Sequence, residues 1–181
     1  MFPEASTYNR WLSLALCSPL FEPAMNLTVL MIGKTGEEYI RQGIEIFTSR
    51  LKHYIPVNWV ELPDIKDRRN FTPLQVKEKE AEILLKKLPQ NSKLVLLDEG
   101  GSGHTSVSFA GFIQKQANSG IKELVFMIGG AYGVSDEIKK RADYTLSLSL
   151  MTFTHQMVRL IFAEQLYRAM TIIRNEAYHN E

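Results

Sequence analysis

The chain has 181 residues, of which 45% are hydrophobic and 23% are charged, a composition typical of one globular domain. Its formal net charge of +1 excludes the strongly basic proteins that hold nucleic acid by bulk electrostatics. The single cysteine, Cys17, excludes an internal disulfide and a multi-cysteine metal site, and no apolar run has the length of a membrane span. We therefore expect no metal and no membrane partner, and a reducing, cytoplasmic compartment.

Residues 1–24 differ from the rest of the chain. They contain three prolines and show no clear hydrophobic period. A short apolar run within them is similar to the core of a signal peptide, but it is too short and only one basic residue precedes it. We interpret 1–24 as an extension outside the fold and 25–181 as a single domain.

The first half of the domain alternates strands and helices. Leu27–Ile32 is predicted to be a buried strand, Glu37–Tyr54 an amphipathic helix and Val57–Leu62 a second strand. The charged loop Pro63–Phe71 is interpreted as a solvated connector in preference to an RNA-contacting loop. Thr72-Pro73-Leu74-Gln75 has the sequence of a capping box and predicts a helix that continues to Leu88.

The second half continues the same alternation. We predict a buried strand at Lys93–Leu97, a helix at Ser106–Ala117 and a strand at Leu124–Ile128. A short strand at Tyr144–Ser149 follows. The loop Leu150–Thr154 then leads into a helix that begins at His155 and runs past Ile173.

This order predicts an α/β fold, a mostly parallel sheet covered by helices on both faces. Two glycines, Gly129 and Gly130, end the strand Leu124–Ile128 and allow the backbone to approach a ligand closely. Ligands of open α/β sheets bind beyond the carboxyl ends of the strands. We therefore expect this glycine turn and the 148–153 loop to face one pocket.

Four motifs in the last third of the chain carry a family resemblance. They are I-G-G-x-x-G at 128–133, S-L-S-x-M-T-F-x-H-Q-x-x-R at 147–159, E-Q-x-Y-R-A at 164–169 and Y-H at 178–179. Together they resemble the ribosomal large-subunit pseudouridine methyltransferase H family. This family belongs to the SPOUT superfamily of knotted, S-adenosylmethionine-dependent RNA methyltransferases. The resemblance begins at about Met25.

The resemblance implies a carboxyl-terminal trefoil knot, a homodimer and methylation of N3 of a pseudouridine in 23S rRNA of the assembled ribosome. It also implies contacts with S-adenosyl-L-methionine from Leu97, Gly129, Leu148, Ser149, Leu150, Met151, Thr152 and Phe153. The catalytic residues that it implies are His155, Arg159, Arg168, Tyr178 and His179. Either histidine suits removal of the N3 proton, and either arginine suits stabilisation of the developing charge; the sequence does not choose between them.

Two positions depart from the family pattern. Thr154 stands where a proline is usual, which should loosen the start of the following helix. Asn180 stands where an arginine or lysine is usual, which removes an expected phosphate contact. The final helix is apolar on more than one side, and this supports a dimer because one sheet face does not easily bury all of its apolar residues.

Two other functions fit parts of the sequence. Gly33-Lys34-Thr35 lies between a strand and a helix, as in a phosphate-binding loop, and favours a nucleotide hydrolase. The complete motif needs a glycine where this chain has Thr28, inside the strand. The second alternative is an RNA-binding module that keeps the same scaffold without a cofactor.

Overall fold

The structure, a computed structural model, describes residues 25–178. The extension 1–24, His179 and Asn180 lie outside the described residues. Five strands form the sheet: β1 (Asn26–Ile32), β2 (Val57–Leu62), β3 (Lys93–Gly103), β4 (Glu123–Ile128) and β5 (Tyr144–Ser147). The α-helices are α1 (Glu38–Leu51), α2 (Pro73–Lys87), α3 (Ser106–Asn118), α4 (Asp136–Arg141) and α5 (His155–Ile173), and a 3₁₀ turn spans Arg68–Asn70.

The sheet has the strand order β2-β1-β4-β3-β5, and all of its pairings are parallel. Its two faces carry separate apolar clusters. Val29 and Met31 of β1 point to the cluster that α1, α3 and α5 complete, while Leu30 and Ile32 point to the cluster that α2 and α4 complete. The predicted parallel sheet with helices on both faces is therefore confirmed. The trefoil knot stays a prediction from the resemblance.

Helix α2 begins as its sequence predicts. The Thr72 hydroxyl accepts a hydrogen bond from the Gln75 backbone N–H at 3.3 Å, and the Gln75 side chain accepts one from the Thr72 backbone N–H at 3.0 Å. This reciprocal capping box satisfies two amides that have no partner inside the helix.

Two elements differ from the prediction. Helix α4 was not expected, because six residues are too few to show a helical period; it is capped by the Ser135 hydroxyl, which accepts from the Ile138 N–H. Strand β3 does not end at Leu97 but resumes after a register shift, so that Ser102 pairs with Leu146. The continuation requires Gly101, since a Cβ there would lie 2.7 Å from the backbone of β5.

Helix α5 begins at His155, as predicted, but Thr154 does not loosen its start. The Thr154 hydroxyl accepts from the Met157 N–H at 3.2 Å and caps the helix. A threonine at this position supplies the hydrogen bond that a proline lacks, so the expected loosening was wrong. Within residues 25–178, no helix is long and apolar enough to cross a membrane.

Candidate functional site

A cavity of about 540 Å³ opens at the carboxyl ends of β3, β4 and β5. Three segments line it: the end of the regular part of β3 at 97–99, the turn at 128–134, and the loop at 146–155. The glycine turn and the 148–153 loop therefore face one pocket, as predicted from the sequence. The size is that of pockets that hold small molecules and cofactors.

Seven of the eight predicted cofactor contacts line this cavity, and Leu150 does not. The lining residues are Leu97, Gly129, Leu148, Ser149, Met151, Thr152 and Phe153. The Leu150 side chain is fully exposed. The loop bends around it, because Ser147 Oγ donates to the Ser149 carbonyl and the Met151 N–H donates to Ser149 Oγ. Leu150 thus occupies the outer tip of the bend, outside the cavity lining, and its contact with the cofactor stays a prediction.

The turn at 129–133 accepts only glycine at several positions. Gly133 has a φ of +79° and its N–H donates to the Gly130 carbonyl at 3.1 Å, which closes the turn. A Cβ on Gly129 would lie 2.6 Å from Val134 Cγ1 and 3.2 Å from Gly133. The absence of a side chain at Gly129 therefore lets the turn close on itself as well as leaving room for a ligand.

His155 lines the cavity, and its neighbour Gln156 determines which ring nitrogen carries the proton. Gln156 Oε1 accepts from the Gly36 N–H at 3.1 Å, and Gln156 Nε2 donates to the Lys34 carbonyl at 3.2 Å. These two bonds fix the orientation of the amide. Its Nε2 lies 3.2 Å from His155 Nε2, which must accept the hydrogen bond because an amide nitrogen can only donate. The imidazole is then neutral, with its proton on Nδ1.

Electrostatics favour the same neutral form of His155. Burial lowers the pKa of the imidazole, and the positive charges of Arg159 and Arg68 lower it further, against an opposing effect of Asp64. His155 is therefore uncharged at neutral pH.

Arg159 does not reach the cavity. Its side chain is completely buried and donates from Nη1 to the Gly33 carbonyl and the Thr35 hydroxyl, both at 3.0 Å, and from Nη2 to the Ile32 carbonyl at 2.5 Å. Glu61 lies 3.6 Å away and balances its charge. Arg159 lies one turn after His155, as predicted, but its guanidinium points to the turn after β1 and away from the cavity, so its catalytic role stays a prediction.

Arg168 and Tyr178 form a second group at the other end of α5. Arg168 donates to Glu164 Oε1 at 2.5 Å, its guanidinium carbon lies 4.9 Å from the centroid of the Tyr178 ring, and Tyr178 Oη donates to the same carboxylate at 3.3 Å. The Tyr178 ring also packs edge-on against Tyr167 at 4.8 Å. At 1.5 Å per residue, Arg168 lies roughly 20 Å along the helix from His155. Within the described residues of one chain, His155 therefore lies far from Arg168 and Tyr178.

Asp98, Glu99 and Tyr132 are among the lining residues that sequence reasoning missed. Asp98 and Glu99 line the cavity, and Glu99 accepts from the Thr152 hydroxyl at 3.2 Å across its mouth. Tyr132 lines the opposite wall and is half exposed. The pair Asp98-Glu99 could have been found from its position directly after a buried strand, whereas Tyr132 gives no signal beyond lying in the glycine turn.

The charged loop 63–71 is only in part a solvated connector. Lys66 and Arg69 are exposed, in agreement with that interpretation. Arg68 is instead held by Asp64 at 2.8 Å and by the buried Glu80 at 2.6 Å. A buried acidic partner on the following helix cannot be read from the loop sequence, which is why the prediction was wrong for Arg68.

The turn at 33–35 is engaged by protein groups and does not form a phosphate-binding loop. The Gly33 carbonyl accepts from Arg159, and the Thr35 N–H and hydroxyl both donate to Glu61 Oε1. Phosphate binding needs free amides, and the hydroxyl is the group that would bind magnesium. These contacts argue against the nucleotide hydrolase.

Comparison with known proteins adds sequence relatives along nearly the whole chain. Residues 25–179 match the family described as predicted SPOUT methyltransferase. The chain is 50% identical over 157 residues to ribosomal RNA large subunit methyltransferase H of Flavobacterium johnsoniae, covering 87% of this chain and 100% of that protein. Identity to the protein of the same name from Geobacter sulfurreducens is 46% over 156 residues, covering 86% and 100%.

Among solved structures, a probable methylase family protein from Haemophilus influenzae has a similar fold. The TM-score is 0.50 at 11% sequence identity, and the match covers 87% of this chain and 72% of that one. At this identity the likeness concerns the fold alone.

Proposed function

The chain belongs to the family of predicted SPOUT methyltransferases, and from this premise we propose that it methylates N3 of a pseudouridine in 23S rRNA of the assembled ribosome. The coarser activity, methylation of large-subunit ribosomal RNA, follows from relatives of that name that match over their full length. The pseudouridine, the N3 position and the assembled ribosome are what the family resemblance of the motifs in the last third of the chain implies. A ribosomal substrate implies a cytoplasmic location.

The methyl donor of SPOUT methyltransferases is S-adenosylmethionine, and the cavity at the carboxyl ends of β3, β4 and β5 fits this molecule. The turn at Gly129 leaves open backbone at its floor, the apolar side chains of Leu148 and Phe153 suit an adenine, and loop amides suit its polar edge. Asp98 and Glu99 place negative charge beside a ligand that carries a sulfonium and an ammonium group. This convergence of the predicted contacts in one cavity is the observation that carries the proposal.

When bound, S-adenosylmethionine supplies a methyl group that the pyrimidine nitrogen takes by direct displacement, so that the bond from sulfur to the methyl carbon breaks as the bond to N3 forms. The protein's part is to hold the base in line with the methyl carbon and to accept the N3 proton. The cavity wall at 128–134 and the 148–153 loop hold the base in line with the methyl carbon.

His155 acts in this scheme as a hydrogen-bond donor. Its Nε2 accepts from Gln156, so the ring presents Nδ1–H, which suits an oxygen of the base that gains negative charge as N3 loses its proton. Proton acceptance then falls to the other candidate, His179, next to Tyr178 in the tail. Arg168, beside Tyr178, is the arginine of this group.

The separation of roughly 20 Å along α5 implies that the tail acts at the cavity of a second copy of the chain. A homodimer with α5 at its interface brings Arg168 and Tyr178 of one protomer to His155 of the other. Partly exposed apolar residues on α5, Leu160 and Ile161 among them, supply surface for that contact.

Calorimetry with S-adenosylmethionine and with ATP tests the proposal and its alternatives. Micromolar binding of S-adenosylmethionine, followed by methyl transfer to ribosomes, supports the methyltransferase. Binding of ATP alone would favour the hydrolase, and binding of ribosomes without cofactor affinity would favour the RNA-binding module. An N3-methyl group blocks base pairing, so a reverse-transcriptase stop on the treated rRNA identifies the modified nucleotide.

A further inference from the structure

A buried carboxylate supports the glycine turn from behind. Glu80, on α2, has only 2% of its side chain exposed. A Cβ on Gly130 would lie 2.5 Å from both of its carboxylate oxygens, so the carboxylate packs directly against the Cα of the turn. Burial raises the pKa of Glu80, while Arg68 and the backbone N–H of Gly130 oppose that effect. The turn therefore rests on a carboxyl group that Arg68 binds, and it has no free space on this side.

Arg68 connects this carboxylate to the wall of the cavity. Its Nη2 donates to Glu80 Oε1 at 2.6 Å and to Asp64 Oδ1 at 2.8 Å. Its guanidinium carbon lies 5.8 Å from the centroid of the Tyr132 ring, within the range of a cation–π contact. Tyr132 lines the cavity and Gly130 forms part of its floor. The pair thus contacts the cavity wall at two points.

Stability alone does not account for a charge at this position. Removing a carboxylate from water costs free energy, and apolar residues of similar volume generally stabilise an interior as well as a buried ion pair does. An ion pair with defined hydrogen bonds provides a fixed geometry, which a turn that contacts a ligand through its backbone requires.

We propose that Glu80, acting through Arg68, is a positioning residue for methyl transfer, which holds the Gly129–Gly133 turn and the Tyr132 ring in the geometry that the methyl donor needs. This inference rests on the proposed function. Neither Glu80 nor Arg68 lines the cavity that the described residues form, so both act through Gly130 and Tyr132.

The first test is Glu80→Gln, which keeps the shape and removes the charge. We expect its Kd for S-adenosylmethionine to rise about tenfold or more, because an amide that keeps the bond to Arg68 turns its NH2 group toward the backbone of Gly130, where the carboxylate has an oxygen. We expect kcat on ribosomes to fall as well, since a small displacement of the reacting groups slows transfer. Glu82→Gln, an exposed change of the same kind on the same helix, is the matched control and should bind within twofold of wild type.

A double-mutant cycle tests whether Glu80 acts through Arg68. Arg68→Gln should weaken cofactor binding to a similar degree, and the double variant Glu80→Gln with Arg68→Gln should lose little more than either single variant. Losses that multiply would show two independent structural effects and overturn the inference. If Glu80→Gln does not fold, Arg68→Gln decides: Arg68 is partly exposed, and an unchanged Kd in that variant would overturn the inference as well.

The Kd of the wild-type protein for S-adenosylmethionine distinguishes a failure of the positioning role from a failure of the proposed function. Wild-type protein that binds S-adenosylmethionine while Glu80→Gln binds equally well would refute the positioning role and leave the proposed function intact. Wild-type protein that does not bind S-adenosylmethionine would refute the proposed function and, with it, this inference.

Discussion

The guanidinium of Arg159 donates to the hydroxyl of Thr35 at 3.0 Å, and this contact ties α5 to the turn that follows β1. Two backbone carbonyls, those of Ile32 and Gly33, accept from the same group, and Glu61 binds the Thr35 hydroxyl from the other side. Arg159 therefore fixes the amino-terminal part of α5, where His155 lies, against the turn at the carboxyl end of β1.

Replacing Arg159 should affect stability more than cofactor binding. In Arg159→Met the carbonyls of Ile32 and Gly33 lose their partner in a buried site, which should lower the free energy of unfolding by about 3 kcal/mol or more. For a chain of this size that corresponds to a fall in Tm of roughly 6 to 12 °C. Thermal denaturation followed by circular dichroism measures the effect, with exposed Arg41→Met as the control. A variant that melts like wild type and has lost only methyl transfer would instead support a catalytic role for Arg159.

Gly129→Val should abolish binding of S-adenosylmethionine and should also lower stability. The valine side chain would meet Val134 and Gly133 before any ligand, so the turn has to move. Calorimetry gives the cofactor affinity and thermal denaturation gives the stability. Gly111→Ala on α3 is the control, since no atom lies within 4 Å of the added Cβ there. Unchanged affinity in Gly129→Val would remove this glycine from the site.

Gly129 illustrates what can be predicted from the sequence. The apolar run 124–128, followed by two glycines, predicts a buried strand and a ligand site at its end; the strand is found, and a cavity opens where the site is expected. The hydrophobic period and the glycine positions are read directly from the local sequence. Because ligands of α/β sheets bind beyond the carboxyl ends of the strands, these features also predict where the site lies.

The local sequence does not determine in which direction a long side chain points. His155 and Arg159 share a helix face by spacing, yet one lines the cavity and the other enters the turn at 33–35, where backbone carbonyls accept its hydrogen bonds. Leu150 and Arg68 show the same limit. Their neighbours in space, and not their neighbours in sequence, decide that one is exposed and the other is bound to Glu80.

His155 should make stability depend on pH. Because its pKa in the folded chain is below the ordinary value of about 6.5, the unfolded chain binds more protons between these two values. Stability is then fully present above about pH 6.5 and falls as the pH is lowered toward the folded pKa. Protonation also puts a hydrogen on Nε2, where Gln156 already donates.

Thermal denaturation at pH 7.5 and pH 5.5 checks this prediction. His155→Gln should show a smaller fall in Tm between the two values than wild type, whereas exposed His53→Gln should match wild type. An equal fall in all three proteins would place the pH dependence elsewhere, and the neutral tautomer of His155 would then lack support.

The ribosome should be required as substrate. A chain with a net charge of +1 has few excess cationic groups for electrostatic binding to the phosphates of protein-free RNA. We expect methylation of assembled ribosomes and little methylation of protein-free 23S RNA at equal concentration. Incorporation of labelled methyl groups into the two substrates measures this, and equal rates would refute it.

The tail should act on the RNA and in the partner's cavity. Deleting residues 178–181 removes the ring that packs on Tyr167 and Arg168, but it leaves every cavity-lining residue in place. Affinity for S-adenosylmethionine should therefore stay within a few-fold, while methyl transfer falls by about 10²-fold or more, the scale of a lost acid–base group. Loss of cofactor binding in this truncated chain would instead make the tail a lid over the cavity.

Mixing two inactive variants tests whether the site is shared between protomers. The truncated chain keeps an intact cavity, and Gly129→Val keeps an intact tail. In a mixed dimer with composite sites, the cavity of the first chain meets the tail of the second, and that site is complete. Random exchange makes about half of the dimers mixed, with one complete site of two, so activity should return to roughly a quarter of wild type. The truncated chain mixed with itself is the control. If the mixture stays inactive although mass spectrometry shows that subunits exchange, each cavity uses the tail of its own chain, and the proposed shared site is wrong.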